Sequence, residues 1–140
     1  MRQRLNLVTL GVADLARSRA FYERLGWTAS SAGGEGVCFF DLNGVVLALF
    51  ARPELAKDAG LADLPPAGAV ALAQNLPDRD AVDEAMREAI AAGGEPRRAA
   101  EATFWGGYSG YVADPDGHLW EFAHNPFWPL DDDGRVRLPA

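Results

Sequence analysis

Two tight-turn signals recur at matching places in this sequence, and they restrict the fold more than any other feature of it. Asp41-Leu42-Asn43-Gly44 and Asp114-Pro115-Asp116-Gly117 lie 73 positions apart. Strand-like residues flank each one: Val37–Asp41 and Val45–Phe50 around the first, Tyr111-Val112 and Leu119–Phe122 around the second. Asn-Gly favours a two-residue hairpin turn, and Asp-Pro-Asp-Gly places Asp, Pro and Gly where a type I turn uses them. Hairpins demand antiparallel pairs, which argues against a parallel doubly wound fold.

Upstream of each hairpin a second pair of signals recurs, 64 positions apart: Val12-Ala13-Asp14 and Leu76-Pro77-Asp78. Leu5–Val12 and Ala69–Leu76 suit strands. Asp14, and Asp78 or Asp80, suit helix N-caps. In the first half Ser18, Phe21, Tyr22 and Leu25 follow at helical spacing, and Gly26 suits the stop. In the second half Val82, Ala85, Met86, Ala89 and Ile90 define one helix face, which Gly93-Gly94 ends. Arg97–Phe104 reads as a weaker strand, and Thr28–Ser31 offers one more strand to the first half. Residues 51–68 carry Pro53, Gly60, Pro65, Pro66 and Gly68. They read as a connector with one helical turn at Leu55–Lys57. The expected fold is therefore α+β, two tandem βαβββ modules within one domain spanning 1–140. Module 1 covers 5–50, module 2 covers 69–124, and 125–140 form a solvated tail.

Composition narrows the partners. A net charge of -7 argues against nucleic acid or an anionic membrane. No apolar run approaches the ~18 residues of a membrane span. The start, Met1-Arg2-Gln3-Arg4, is not a signal peptide, so a cytoplasmic protein is expected. The single cysteine, Cys38, sits in the apolar run Val37–Phe40 and reads as a small buried hydrophobe rather than a nucleophile. No P-loop, strand-GxGxxG-helix or nucleophile-elbow pattern is present.

The runs Val12–Tyr22 and Asp114–Glu121, in order and inside a duplicated pattern, resemble the vicinal oxygen chelate superfamily. That superfamily takes in glyoxalases, extradiol dioxygenases and bleomycin-resistance proteins. The resemblance spans about residues 5 to 125. In metal-dependent members of this kind, each module supplies two ligands from the inner face of its first and last strands. Carried over by spacing from the capping aspartate and the turn glycine, those positions are Leu7, Ala48, Ala71 and Glu121. Leucine and alanine offer no donor, and one carboxylate does not hold a catalytic divalent ion. The expectation is no metal and no other cofactor. An unusual set drawn from Glu121, His124 and Gln74 is the alternative, although His124 faces away from Glu121 in a regular strand.

Glu121 is thus the residue to question. Burying a carboxylate in mid-strand costs free energy unless it is partnered. It either contacts a ligand, acts as a general base, or is a structural acid paired with Arg52, Arg97 or a tyrosine hydroxyl. Strand alternation places Leu7, Thr9, Ala48 and Phe50 on the inner face of module 1, and Ala71 on that of module 2. Trp105 and Tyr108, in a glycine-rich loop, are candidate aromatic walls. His118 and His124 read as strand-end polar residues, and Phe127 and Trp128 as packing residues of the tail.

The resemblance implies a homodimer whose sheets curve around a cleft. Two functions stay open. One is a metal-free protein that binds an apolar or aromatic small molecule. The other is an enzyme, a glyoxalase-like lyase or isomerase or another enzyme of the superfamily, with Glu121 as base or metal ligand.

Overall fold

The computed structural model describes residues 2–138. They divide into two compact units with the boundary between Pro66 and Ala67.

The first unit runs β1 (Leu7–Val12), α1 (Leu15–Arg24), β2 (Val37–Asp41), β3 (Val46–Ala51) and α2 (Arg52–Asp58). Its sheet has the order β1-β3-β2, with β1 parallel and β2 antiparallel to β3. Asp14 caps α1 by accepting from the Arg17 N–H at 3.0 Å. At the other end Gly26 takes a φ of 86°, a left-handed stop that glycine adopts without strain. Between β2 and β3, Asn43 (φ 59°) and Gly44 (φ 110°) make the turn, closed by Leu42 N–H to Val45 C=O at 2.9 Å.

Alternation decides what each face of this sheet meets. Leu10, Val12, Cys38, Phe40, Leu47 and Leu49 are buried on the helix side, where α1 supplies Phe21 and Tyr22. Tyr22 stacks on Trp27 at 5.2 Å and lies 5.7 Å from Phe40. Each such large apolar side chain contributes ~1.5–3 kcal/mol on burial, so this cluster is the main anchor of α1.

Two sequence expectations change here. Thr28–Ser31 forms no strand; one backbone bond, Ser30 N–H to Phe39 C=O at 2.8 Å, marks where a fourth strand would pair. The segment bends away at Ala32-Gly33, and Gly33 lies so close to the Val37 carbonyl that a Cβ would stand 2.8 Å from it. The connector holds a full seven-residue helix, α2, rather than one turn, with Pro53 in its first turn where a missing N–H is harmless.

The second unit runs β4 (Ala71–Asn75), α3 (Arg79–Ala91), β5 (Glu95–Ala102), β6 (Tyr108–Ala113) and β7 (Leu119–His124), the complete βαβββ order. Its sheet is ordered β4-β7-β6-β5. Asp78, not Asp80, caps α3 by accepting from the Ala81 N–H at 2.8 Å. Val82, Met86 and Ala89 are buried against the sheet, whereas Ile90, assigned to the same face from sequence, is 42% exposed. Close helix–sheet approach requires two glycines. A Cβ on Gly110 would stand 2.8 Å from the Met86 methyl, and one on Gly94 would stand 2.8 Å from the Ala89 carbonyl.

The hairpin at Asp114–Gly117 is bonded as its chemistry predicts. Gly117 N–H donates to the Asp114 carbonyl at 3.0 Å, and Asp114 Oδ1 accepts from the N–H groups of Asp116 and His118, each at 2.9 Å. After β7 the tail forms a tight turn around Asp131, which accepts from Asp133 and Arg135 N–H and pairs with Arg137 at 2.6 Å. Among the described residues no helix is long and apolar enough to cross a membrane.

Candidate functional site

In the second unit α3 covers one face of the sheet, and Glu121 stands on the other. Register settles this. Glu121 pairs with Ala73 of β4 on one side and with Tyr111 of β6 on the other, and paired residues share a face. The same face carries Ala71 opposite Leu119, and Ala123 opposite Ser109. Glu121 is therefore a carboxylate set among small and apolar neighbours.

Tyr111 stands beside it across the β6–β7 pair. Burial raises the Tyr111 hydroxyl above the ordinary phenol range, and the neighbouring Glu121 carboxylate raises it further; Arg98 opposes them. Of the structural partners considered from sequence, the tyrosine hydroxyl is the one present. Arg52 is held by the Leu64 and Pro65 carbonyls at 2.5 and 3.3 Å, and Arg97 pairs with Glu95 at 3.1 Å.

Beyond Tyr111 the polar cluster continues. Arg98 of β5 lies 5.2 Å from the centre of the Tyr111 ring. Its Nη2 donates to the Ser109 carbonyl at 3.1 Å and to Ser109 Oγ at 2.7 Å, and its Nη1 to Glu101 at 3.0 Å. The sequence singles out Trp105 and Tyr108 in this stretch rather than Tyr111, and does not point to Arg98. Counting back across the Asp114–Gly117 hairpin finds Tyr111 opposite Glu121. No count finds Arg98, because β5 changes register on both sides of it.

The other expected residues fall into three groups. Leu7, Thr9, Ala48 and Phe50 share the face of the first sheet that α1 does not cover. Leu7 pairs with Val46, and Ala48 with Thr9, so Leu7 and Ala48 are diagonal neighbours rather than opposite ones. One end of this face is covered at Gly11 by Leu64, Arg52 and Leu55. Ala71 lies on the Glu121 face, one strand away and two positions along.

Tyr108 lies on the opposite face. Tyr108 pairs with His124 on the α3 side, where its hydroxyl donates to Asp83 at 2.8 Å and Arg79 lies over its ring. Tyr111, three residues on, takes the wall position expected of Tyr108. Trp105 folds back over its own loop, its ring so near Gly107 that a Cβ there would stand 1.8 Å from it. His124 Nδ1 meets the Leu76 carbonyl at 3.2 Å, on the side away from Glu121. Phe127 and Trp128 are 64% and 41% exposed.

The donor set does not fit a chelated divalent ion. Leu7, Ala48 and Ala71 have no donor atoms, and a hydroxyl and a guanidinium, not carboxylates or imidazoles, accompany Glu121. Among the described residues no group of three or more His, Cys, Asp and Glu converges. A cavity of about 380 Å³ lies in the first unit between α1 and the loop at residues 29–34, with Arg19 and Cys38 in its lining. Burial pushes the Cys38 thiol up, and the nearby Arg19 pulls the other way.

Comparison with known proteins follows the same geometry. Residues 4–122 match the Glyoxalase/Bleomycin resistance protein/Dioxygenase superfamily. A glyoxalase-related enzyme from Fulvimarina pelagi is 41% identical, with 99% of this chain and 100% of that one covered and a TM-score of 0.92. A glyoxalase/bleomycin resistance protein/dioxygenase from Nocardioides is 27% identical, covering 99% of this chain and 91% of its own, with a TM-score of 0.76. A bleomycin resistance determinant encoded on the transposon Tn5 is 27% identical, covering 89% and 99%, with a TM-score of 0.63. No curated protein matches the chain. On the strength of the match to residues 4–122 and of the Fulvimarina structure, the chain belongs to the glyoxalase/bleomycin resistance protein/dioxygenase superfamily.

Proposed function

We propose that this protein binds a small molecule with an apolar or aromatic body on the sheet faces its helices leave uncovered, without a chelated metal, and that it does so as a homodimer. The observation that carries the reading is the Glu121–Tyr111 pair, which stands among Ala71, Ala73, Leu119 and Ala123 at the edge of the Ser109–Arg98 cluster. Apolar surface supplies the binding free energy and one oriented polar group supplies direction. The carboxylate accepts a hydrogen bond from the ligand through the lone pairs that Tyr111 leaves free.

Native mass spectrometry of the purified protein tests this directly. The expected spectrum is a dimer carrying a small organic molecule and no stoichiometric metal. Near one zinc, nickel or iron per chain would overturn the metal-free reading, and a monomer would overturn the dimer.

A second reading has its own support. The 41% identical relative is described as a glyoxalase-related enzyme. In that reading Glu121 is a general base in a lyase or isomerase reaction, and Tyr111 sets its orientation. Glu121→Gln separates the two. A base is lost with it and turnover falls by ~10²–10⁴, whereas a binding protein has no turnover to lose.

A further inference from the structure

Arg98 is held in a way the rest of β5 is not. β5 pairs with β6 at Glu95 and Pro96, at Arg98, and again at Glu101 and Ala102, with a register shift between each group. A bulge leaves a residue unpaired and re-aims its neighbours, and bulges gather beside functional sites. The shift between Pro96 and Arg98 brings Arg98 opposite Tyr111, and the next brings Glu101 opposite Ser109.

Its guanidinium then makes four contacts at once. It lies 5.2 Å from the centre of the Tyr111 ring, donates to the Ser109 carbonyl and hydroxyl at 3.1 and 2.7 Å, and donates to Glu101 at 3.0 Å. The Glu101 pair is exposed and weak. The Ser109 contacts are to a residue only 1% exposed, so they fix the fork where it is. A planar fork bonded along one edge and stacked by its face restrains a ring in a way that an ammonium does not. Tyr111 in turn pairs with Glu121 across the β6–β7 ladder, and its hydroxyl feels that carboxylate's charge. The chain of contact therefore runs from a doubly bulged strand, through an arginine and a tyrosine, to the carboxylate of the proposed binding face.

Resting on the binding reading above, we propose that Arg98 is a positioning residue: it clamps the Tyr111 ring so that its hydroxyl stays beside Glu121 on the open face. Arg98 acts through Tyr111. Its guanidinium is engaged by Ser109, Glu101 and the Tyr111 ring, which leaves Glu121 and Tyr111 to meet a ligand.

The test reads the tyrosine hydroxyl in the whole chain. The charged groups facing Tyr111 are Glu121 from β7 and Arg98 from β5, with Glu101 bonded to Arg98. Tyrosinate absorbance is followed against pH for the wild type, Arg98→Met and Arg98→Lys, with Tyr111→Phe identifying the transition. Charge alone and positioning predict opposite signs. If Arg98 matters only as a nearby cation, removing it raises the Tyr111 midpoint. If it positions the ring, Arg98→Met frees the hydroxyl from Glu121 and the midpoint falls by about one pH unit. Arg98→Lys keeps the charge, loses the fork, and also shows a fall.

At neutral pH, where alkaline unfolding does not intrude, NMR of the Tyr111 ring gives a second reading. Its flip rate is expected to rise about tenfold in both variants. A midpoint that rises or stays put, or an unchanged flip rate, in whichever variant folds, overturns the proposal. Neither measurement uses a ligand. Failure here leaves the binding reading standing, and failure to find a ligand leaves the clamp standing.

Discussion

Tyr108 and Tyr111 share strand β6 but send their hydroxyls to opposite faces, Tyr108 to Asp83 on α3 and Tyr111 to Glu121 on the uncovered side. One hydroxyl fastens a helix to the sheet; the other belongs to the candidate site. Both are raised above the ordinary phenol range, Tyr108 chiefly by its hydrogen bond to Asp83 and Tyr111 chiefly by burial. A raised folded pKa gives stability that is whole below the unfolded value and is lost as pH climbs through the folded one. Stability should therefore hold to about pH 10 and decline above it. Urea denaturation across that range should show a shallower decline in Tyr108→Phe and Tyr111→Phe than in the wild type.

Glu121→Gln tests the polar point without changing its shape. The loss of a charged acceptor should weaken ligand binding by ~1.5–3 kcal/mol, roughly 10- to 150-fold. Because the carboxylate is half-buried among apolar residues, the fold should not suffer. Calorimetric titration with the co-purified ligand reads the first effect and thermal melting the second. Unchanged affinity would show that Glu121 serves structure alone.

Gly11 and Gly110 both face crowded neighbours, of different kinds. A Cβ on Gly11 would stand 2.7 Å from Leu64 Cδ1, the free end of a flexible side chain. One on Gly110 would meet the Ala100 backbone nitrogen at 2.9 Å as well as Met86. Side-chain ends can rotate away, whereas a paired strand cannot. Gly110→Ala is expected to destabilise by ~1–3 kcal/mol, the ordinary range of overpacking, and Gly11→Ala by less. Denaturant midpoints for the two variants measure the order.

Asp114→Ala removes the acceptor of two backbone N–H groups at a residue that is 3% exposed. Leaving such buried donors unsatisfied costs ~1–3 kcal/mol. The cap Asp14, which accepts one N–H at an exposed helix end, should cost about 1 kcal/mol on the same substitution. If Asp114→Ala proves the milder of the two, the hairpin is not organised by that side chain.

Much of this molecule could be read before its structure. The N-caps at Asp14 and Asp78, the turn at Asn43-Gly44 and the Asp114–Gly117 hairpin all formed where their chemistry placed them. Each depends on contacts within about five residues, so local chemistry suffices. Thr28–Ser31 failed as a strand because strand formation needs a partner edge, and composition does not report one. α2 exceeded its single expected turn because Leu55 packs near Gly11 and its Ala56 is buried.

The sequence alone determined the repeated strand–helix–hairpin order, and strand alternation put Leu7 with Thr9, and Ala48 with Phe50, on common faces. These follow from periodicity and turn chemistry, which are properties of the chain itself. Only the tertiary structure decided what stands behind Glu121. Its cross-strand neighbour Tyr111 follows from a count across the hairpin, but Arg98 comes opposite Tyr111 through a register shift in β5, a pairing that no local spacing relates.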